Sequence, residues 1–73
     1  MKPETKYTLY QWQGNKLLDS YDIAYPYQPN GELNYPLVQG EDLDDKCDCI
    51  SIRRVKTNRN GDKRAAIIET LYK

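Results

Sequence analysis

Apolar and polar positions follow a strand-like pattern in two pairs of segments, and a two-residue turn signature separates the members of each pair. Aromatic and β-branched residues, which favour strands, are frequent in these segments. Glycine adopts positive φ without steric cost and asparagine tolerates it, as the primed two-residue turns require. The first pair is 6–13 and 16–25 around Gly14-Asn15, and the second is 50–57 and 63–72 around Asn60-Gly61. The pattern predicts two antiparallel β-hairpins.

The first turn sets which residues face each other across its hairpin. A two-residue loop pairs Gln13 with Lys16 and Trp12 with Leu17. Side chains then alternate between the two faces, and the more apolar face carries Thr8, Tyr10, Trp12, Leu17, Tyr21 and Ile23. We expect this face to meet the core.

The second hairpin allows two registers and a helical alternative. A two-residue loop places Ile52 opposite Glu69, whereas a three-residue loop places Ile52 opposite Ile68. In the helical alternative, Asp62 is the N-cap of a helix over residues 63–72. The β-branched residues of that segment favour a strand.

The middle of the chain reads as a structured loop. Three prolines between residues 25 and 36 exclude a long helix or a central strand there. Pro29-Asn30-Gly31 is a turn signature that a short hairpin can use, with residues 32–34 as one arm. Five carboxylates follow within residues 41–48, and residues 41–46 form either a single helical turn or part of a solvated loop.

Length and composition limit the fold to one small domain. The chain has 73 residues, 38% of them apolar, with seven tyrosines, one tryptophan and no phenylalanine. So short a chain with so few apolar residues can form only a small core, and we expect a second copy or a partner to complete it. We therefore predict a single mostly-β domain over residues 1–73. It has four or five short antiparallel strands in a curled sheet or small barrel, with one short helical turn as an option.

Charge is divided sharply along the chain although the net charge is zero. Residues 1–49 contain four Lys/Arg and nine Asp/Glu, a net charge of −5, and residues 50–73 contain seven and two, a net charge of +5. Opposite charges in one chain attract each other, so intramolecular complementarity is the simpler interpretation. The alternative is two faces for two kinds of partner.

The tyrosine-rich loop is the leading candidate for recognition of another protein. Tyrosine offers a large contact area at a low cost in rotamer entropy, and prolines order the segment in advance. The candidate protein-binding residues are Tyr25, Tyr27, Tyr35, Asp44 and Asp45. In the alternative interpretation the rings cover a sheet face and complete the core.

The basic C-terminal hairpin provides the alternative function, binding of nucleic acid. Cations that flank a β-turn can contact phosphates, and a two-stranded ribbon fits the major groove. The candidate residues are Arg53, Arg54, Lys56, Arg59, Lys63 and Arg64. Because Arg53 and Arg54 are adjacent in a strand, they point to opposite faces, so a single basic stripe does not follow from the sequence.

Catalysis and metal binding find no support in the sequence. The chain has no histidine, the usual general base near neutral pH. The acidic segment fails the calcium-loop template, because Cys47 stands where glycine is required and Arg53 where glutamate is required. Two cysteines one residue apart lack the usual zinc-ligand spacing. We predict no enzyme activity, no metal and no cofactor.

Localisation and function follow by exclusion. The chain shows no signal peptide and no apolar run long enough to span a membrane, so we expect a cytoplasmic protein with free thiols at Cys47 and Cys49. We predict a non-enzymatic protein-binding or regulatory module. A homo-oligomer whose acidic and basic halves pair between copies is a further alternative.

Overall fold

Four antiparallel strands and no helix make up the regular structure of the residues that the computed structural model describes, 3–34 and 43–72. The strands are β1 (Glu4–Gln13), β2 (Lys16–Ile23), β3 (Cys49–Thr57) and β4 (Lys63–Tyr72). They form one open sheet in the order β2-β1-β3-β4. The predicted all-β class, the two hairpins and the strand over residues 63–72 are confirmed. The barrel and the helical alternative for that segment are wrong.

The first hairpin keeps the predicted turn but changes register beyond it. Gln13 pairs with Lys16 and Trp12 with Leu17, as predicted. A β-bulge at Leu18 then shifts the pairing, so that Leu9 lies opposite Tyr21. An extra residue in one strand exchanges the faces of every residue beyond it. The predicted core face is therefore wrong for Thr8, Tyr10, Trp12 and Leu17, since the opposite face of β1 is buried. It is correct for Tyr21 and Ile23, which pack against the core.

The second hairpin combines the two registers that the sequence left open. Next to the turn the pairing is that of a three-residue loop, with Thr57 opposite Lys63. A bulge at Ile68 then restores the register of a two-residue loop, so that Ile52 lies opposite Glu69. Each of the two predicted registers therefore holds over part of the hairpin.

A small cluster of apolar side chains forms the core on one face of the sheet. Leu9 and Ile52 are 0% exposed and Ile50 is 2% exposed. From the connection between β2 and β3, Leu33 and Cys47 complete the cluster. One layer of sheet is thus covered by one layer of loop.

The described parts of this connection are ordered by turns. A bridge between Tyr27 and Leu33 closes the short hairpin that was predicted around Gly31. Beyond the gap, Cys47 N donates a 3.0 Å hydrogen bond to Asp44 O and closes a turn over residues 44–47. Of the helical turn proposed over residues 41–46, residues 41 and 42 lie outside the described residues, and the remainder belongs to this turn.

Candidate functional site

Two aromatic rings lie side by side on the sheet face opposite the core. Because Leu9 points into the core, side-chain alternation turns Tyr10 and Trp12 to the other side. Their ring centroids are 6.3 Å apart and their planes differ by 28°. Trp12 Nε1 donates a 2.8 Å hydrogen bond to Ser51 Oγ on the neighbouring strand. This bond fixes the indole on the sheet.

Arg53 lies next to the aromatic pair. Its guanidinium carbon is 5.3 Å from the centroid of the Tyr10 ring, a distance suited to a cation–π interaction. Its Nε is buried and has no hydrogen-bond acceptor among the described residues. Within residues 3–34 and 43–72 the ion pair is between Lys6 and Glu4, so Arg53 has no carboxylate partner there. Arg53 is thus a cation next to an aromatic ring, and none of the carboxylates of residues 3–34 and 43–72 pairs with it.

Side chains from the outer strands extend this surface. Leu17 of β2 is 45% exposed, and Ile67 and Tyr72 of β4 are 56% and 80% exposed. We define the open face as Tyr10, Trp12, Leu17, Arg53, Ile67 and Tyr72. The apolar residues of the described connection between β2 and β3 pack against the core cluster on the other side.

The side of the sheet that carries the open face is nearly neutral. Its charged residues are Glu4, Lys6, Asp22, Arg53 and Lys63. Both carboxylates have contacts, since Glu4 lies 4.0 Å from Lys6 and Asp22 accepts a 3.1 Å hydrogen bond from the Thr8 hydroxyl. No strong field of one sign therefore surrounds Arg53.

The predicted tyrosine site is divided by the structure. Tyr25 is 62% exposed and makes edge-on contacts with Tyr7 and Tyr27, each at 5.6 Å between centroids. Tyr27 packs against the core cluster, and its hydroxyl donates a 2.6 Å hydrogen bond to Glu69. That bond, with some burial, raises the pKa of Tyr27 to about 12. Tyr35 lies outside the described residues.

The two predicted acidic residues lie in the turn before β3. The Asp44 amide donates a 2.8 Å hydrogen bond to Oε1 of the buried Gln11, and the Asp44 carboxylate accepts one from the Lys46 amide. Asp44 thus holds the turn against the core. Asp45 is exposed next to it.

The six basic residues proposed for nucleic-acid binding do not share one face. The pairing places Arg53 and Lys63 on the side of the open face, Arg54, Lys56 and Arg64 on the opposite side, and Arg59 in the loop. A groove of about 420 Å³ near this end is lined by Lys56 and Arg64 but also by Glu4 and Asp62. Its charges balance, so it offers no concentrated positive potential to phosphates.

The two cysteines are free thiols in a structural setting. Cys47 is buried and its thiol donates to the Cys49 carbonyl oxygen at 3.3 Å. Burial, and then the negative charge of Asp48, raise the pKa of Cys49. No group of three potential metal ligands occurs in the described chain. The same residues contain no helix that is long and apolar enough to cross a membrane.

Sequence reasoning missed the open face because it assigned Tyr10 and Trp12 to the core. The error came from the bulge at Leu18, because the assignment continued strict alternation through the doublet Leu17-Leu18. No known protein family, curated protein or solved structure matches this chain.

Proposed function

We propose that this chain is a non-enzymatic binding module that recognises another protein through its open face. The observation that carries the proposal is the set of half-buried Trp12, Tyr10 and Arg53, which lies beside the exposed side chains of Leu17 and Ile67. Tryptophan, tyrosine and arginine are the residues most enriched at the energetic centres of protein interfaces. Sheets with one solvated face usually carry polar residues there.

Shape and size agree with this role. The molecule measures 40 × 30 × 16 Å, so the sheet presents a broad surface. A specific protein interface buries about 800 Å² on each partner, which a surface of these dimensions can supply. Aromatic rings fixed by stacking and by the hydrogen bond from Trp12 to Ser51 lose little conformational entropy on binding.

The charges favour a protein partner over nucleic acid. Binding along a phosphate backbone needs several cations on one surface. On the side of the open face, the cation of Lys6 lies 4.0 Å from the carboxylate of Glu4. A second carboxylate, that of Asp22, lies on the same side and accepts a hydrogen bond from Thr8, so the cations there are offset by anions. The absence of histidine and the free thiols Cys47 and Cys49 accord with a non-enzymatic, cytoplasmic module.

Adjacent alanines on β4 provide a matched test. Ala65 lies opposite Val55 on the side of the open face, Ala66 lies opposite Arg54 on the other side, and both are exposed. Each alanine is replaced by glutamate, and tagged proteins are used to capture partners from nuclease-treated host lysate. We expect a specific protein that is captured by wild type and by Ala66→Glu and lost with Ala65→Glu, at equal thermal midpoints.

Three results bear on the alternatives. Capture that is lost equally with both variants, or with Ala66→Glu alone, contradicts recognition through the open face. Light scattering during size-exclusion chromatography identifies a second copy as the partner if wild type is a dimer and Ala65→Glu is a monomer. Retention of material only without nuclease treatment would indicate nucleic acid instead.

A further inference from the structure

We infer that the partner contributes a carboxylate side chain that binds the guanidinium of Arg53. The inference rests on the proposed function, because it is the docking of a protein on the open face that removes water from Arg53. Arg53 would then be the residue that selects an acidic group on an otherwise apolar partner surface.

The position of the guanidinium is already fixed in the free protein. It lies 5.3 Å from the Tyr10 ring centroid, and Tyr10 in turn stacks on Trp12. Its Nε is buried and has no acceptor in the described chain. The two terminal Nη groups are not buried in this way, so they remain available as donors toward solvent. A planar pair of N–H groups held in one orientation matches the two oxygens of a carboxylate.

Among the residues that the structure describes, no carboxylate is paired with Arg53. Glu4 and Asp22, the carboxylates on this side of the sheet, are in contact with Lys6 and Thr8. A purely apolar partner would therefore bury the charge of Arg53 unpaired, which is strongly unfavourable. A carboxylate on the partner would supply both the hydrogen-bond acceptor and the counter-charge that the described residues do not give Arg53.

A carboxylate fits this site better than a phosphate chain does. A nucleic acid bound along this face would place its phosphates near the carboxylates of Glu4 and Asp22, which repel them. In return it would gain one well-placed cation, Arg53. A single acidic side chain flanked by apolar residues needs only that one cation. The aromatic and aliphatic neighbours, Trp12, Leu17 and Ile67, would cover its apolar flanks.

The test uses two capped pentapeptides as probes, LVEVL and LVQVL, which differ only in the central carboxylate. The protein is labelled with ¹⁵N, and the Nε–Hε signal of Arg53 is followed to about 5 mM peptide. Burial of Nε should slow its exchange with water and keep this signal visible. We expect saturable shifts with LVEVL and binding about tenfold weaker with LVQVL, since a hydrogen bond to a charged group is lost.

Matched variants separate this proposal from the proposed function. Arg53→Gln lacks the Nε–Hε group, so its binding is followed through the backbone amide signals of Leu17 and Ile67, and it should bind the two peptides equally. Arg54→Gln, on the opposite face, should keep the tenfold preference. Equal affinity of wild type for both peptides overturns the carboxylate inference, yet shifts at Leu17 and Ile67 would still support the open face. The absence of a shift with either peptide also overturns the carboxylate inference. The proposed function is then decided by the capture experiment. Tighter binding of an oligothymidylate would replace the inference with nucleic-acid recognition.

Discussion

The Tyr27 hydroxyl donates a 2.6 Å hydrogen bond to Glu69 Oε1 and so ties the proline-containing loop to β4. β4 is an outer strand of the sheet, where pairing is available on one side only. The bond therefore connects two parts of the fold that are distant in sequence. Tyr27 also pairs with the core residue Leu33 across the short hairpin. The bond to Glu69 therefore helps to hold the loop in the layer that covers the core.

Stability should depend on the ionisation of Tyr27 at alkaline pH. Its pKa is raised to about 12 from 10, chiefly by the hydrogen bond to Glu69. A raised pKa contributes stability that is complete below pH 10 and is lost as pH rises toward 12. Tyr27→Phe should cost about 1 kcal/mol at pH 8. Urea unfolding should show this difference shrinking between pH 10 and 12, and a constant difference would contradict the assignment.

The turns were predictable from the sequence, but the faces of the strands were not. Gly14-Asn15 and Asn60-Gly61 have local signatures, so both hairpins follow from a few residues. A bulge exchanges all faces beyond it, and its position depends on packing across strands. Each bulge nevertheless falls at a doubled apolar residue, Leu17-Leu18 or Ile67-Ile68. Such doublets interrupt strict alternation and are the signal that could have located the bulges.

The two members of each doublet should contribute unequally to stability. Leu18 and Ile68 pack against the core cluster, whereas Leu17 and Ile67 are 45% and 56% exposed. Replacement by serine should cost about 1–3 kcal/mol at the packed position of each doublet and less than about 1 kcal/mol at the exposed one. Chemical denaturation of the four variants measures this. Equal losses within a doublet would mean that the bulge lies elsewhere.

A buried glutamine joins the acidic turn to the sheet. Gln11 is 0% exposed, its Oε1 accepts from the Asp44 amide at 2.8 Å, and its Nε2 donates to the Tyr21 hydroxyl at 3.3 Å. Sequence reasoning gave Gln11 no role, because a polar residue on a strand is ordinarily solvated. Its carbonyl orders the turn that carries the candidate residues Asp44 and Asp45.

Gln11→Leu should loosen that turn as well as destabilise the domain. Leucine keeps the side-chain volume but leaves the Asp44 amide without its acceptor, at a cost of about 1–3 kcal/mol. Hydrogen exchange at the Asp44 amide should accelerate beyond the change in global stability. Gln13→Leu is the control, because Gln13 lies on the same strand and is exposed. Unchanged protection of Asp44 in Gln11→Leu would show that the bond does not hold the turn.

Two turns of the domain share one hydrogen-bond pattern, and the glycine of the first turn, Gly31, should respond to substitution through backbone strain alone. The turns span residues 28–32 and 58–62. In each turn, the glycine amide donates a hydrogen bond to the carbonyl oxygen of the first residue, and the amide of the first residue donates to the carbonyl oxygen of the last residue. Gly31 has φ 87°, and a Cβ built there meets nothing within 4 Å. Gly31→Ala should therefore cost about 1–2 kcal/mol in thermal unfolding, from the left-handed backbone. D-alanine at the same position, introduced by chemical synthesis, should leave the free energy of unfolding unchanged or raise it. A D-residue adopts positive φ without strain, and its Cβ lowers the conformational entropy of the unfolded chain. An equal loss for both alanines would locate the penalty in side-chain crowding instead.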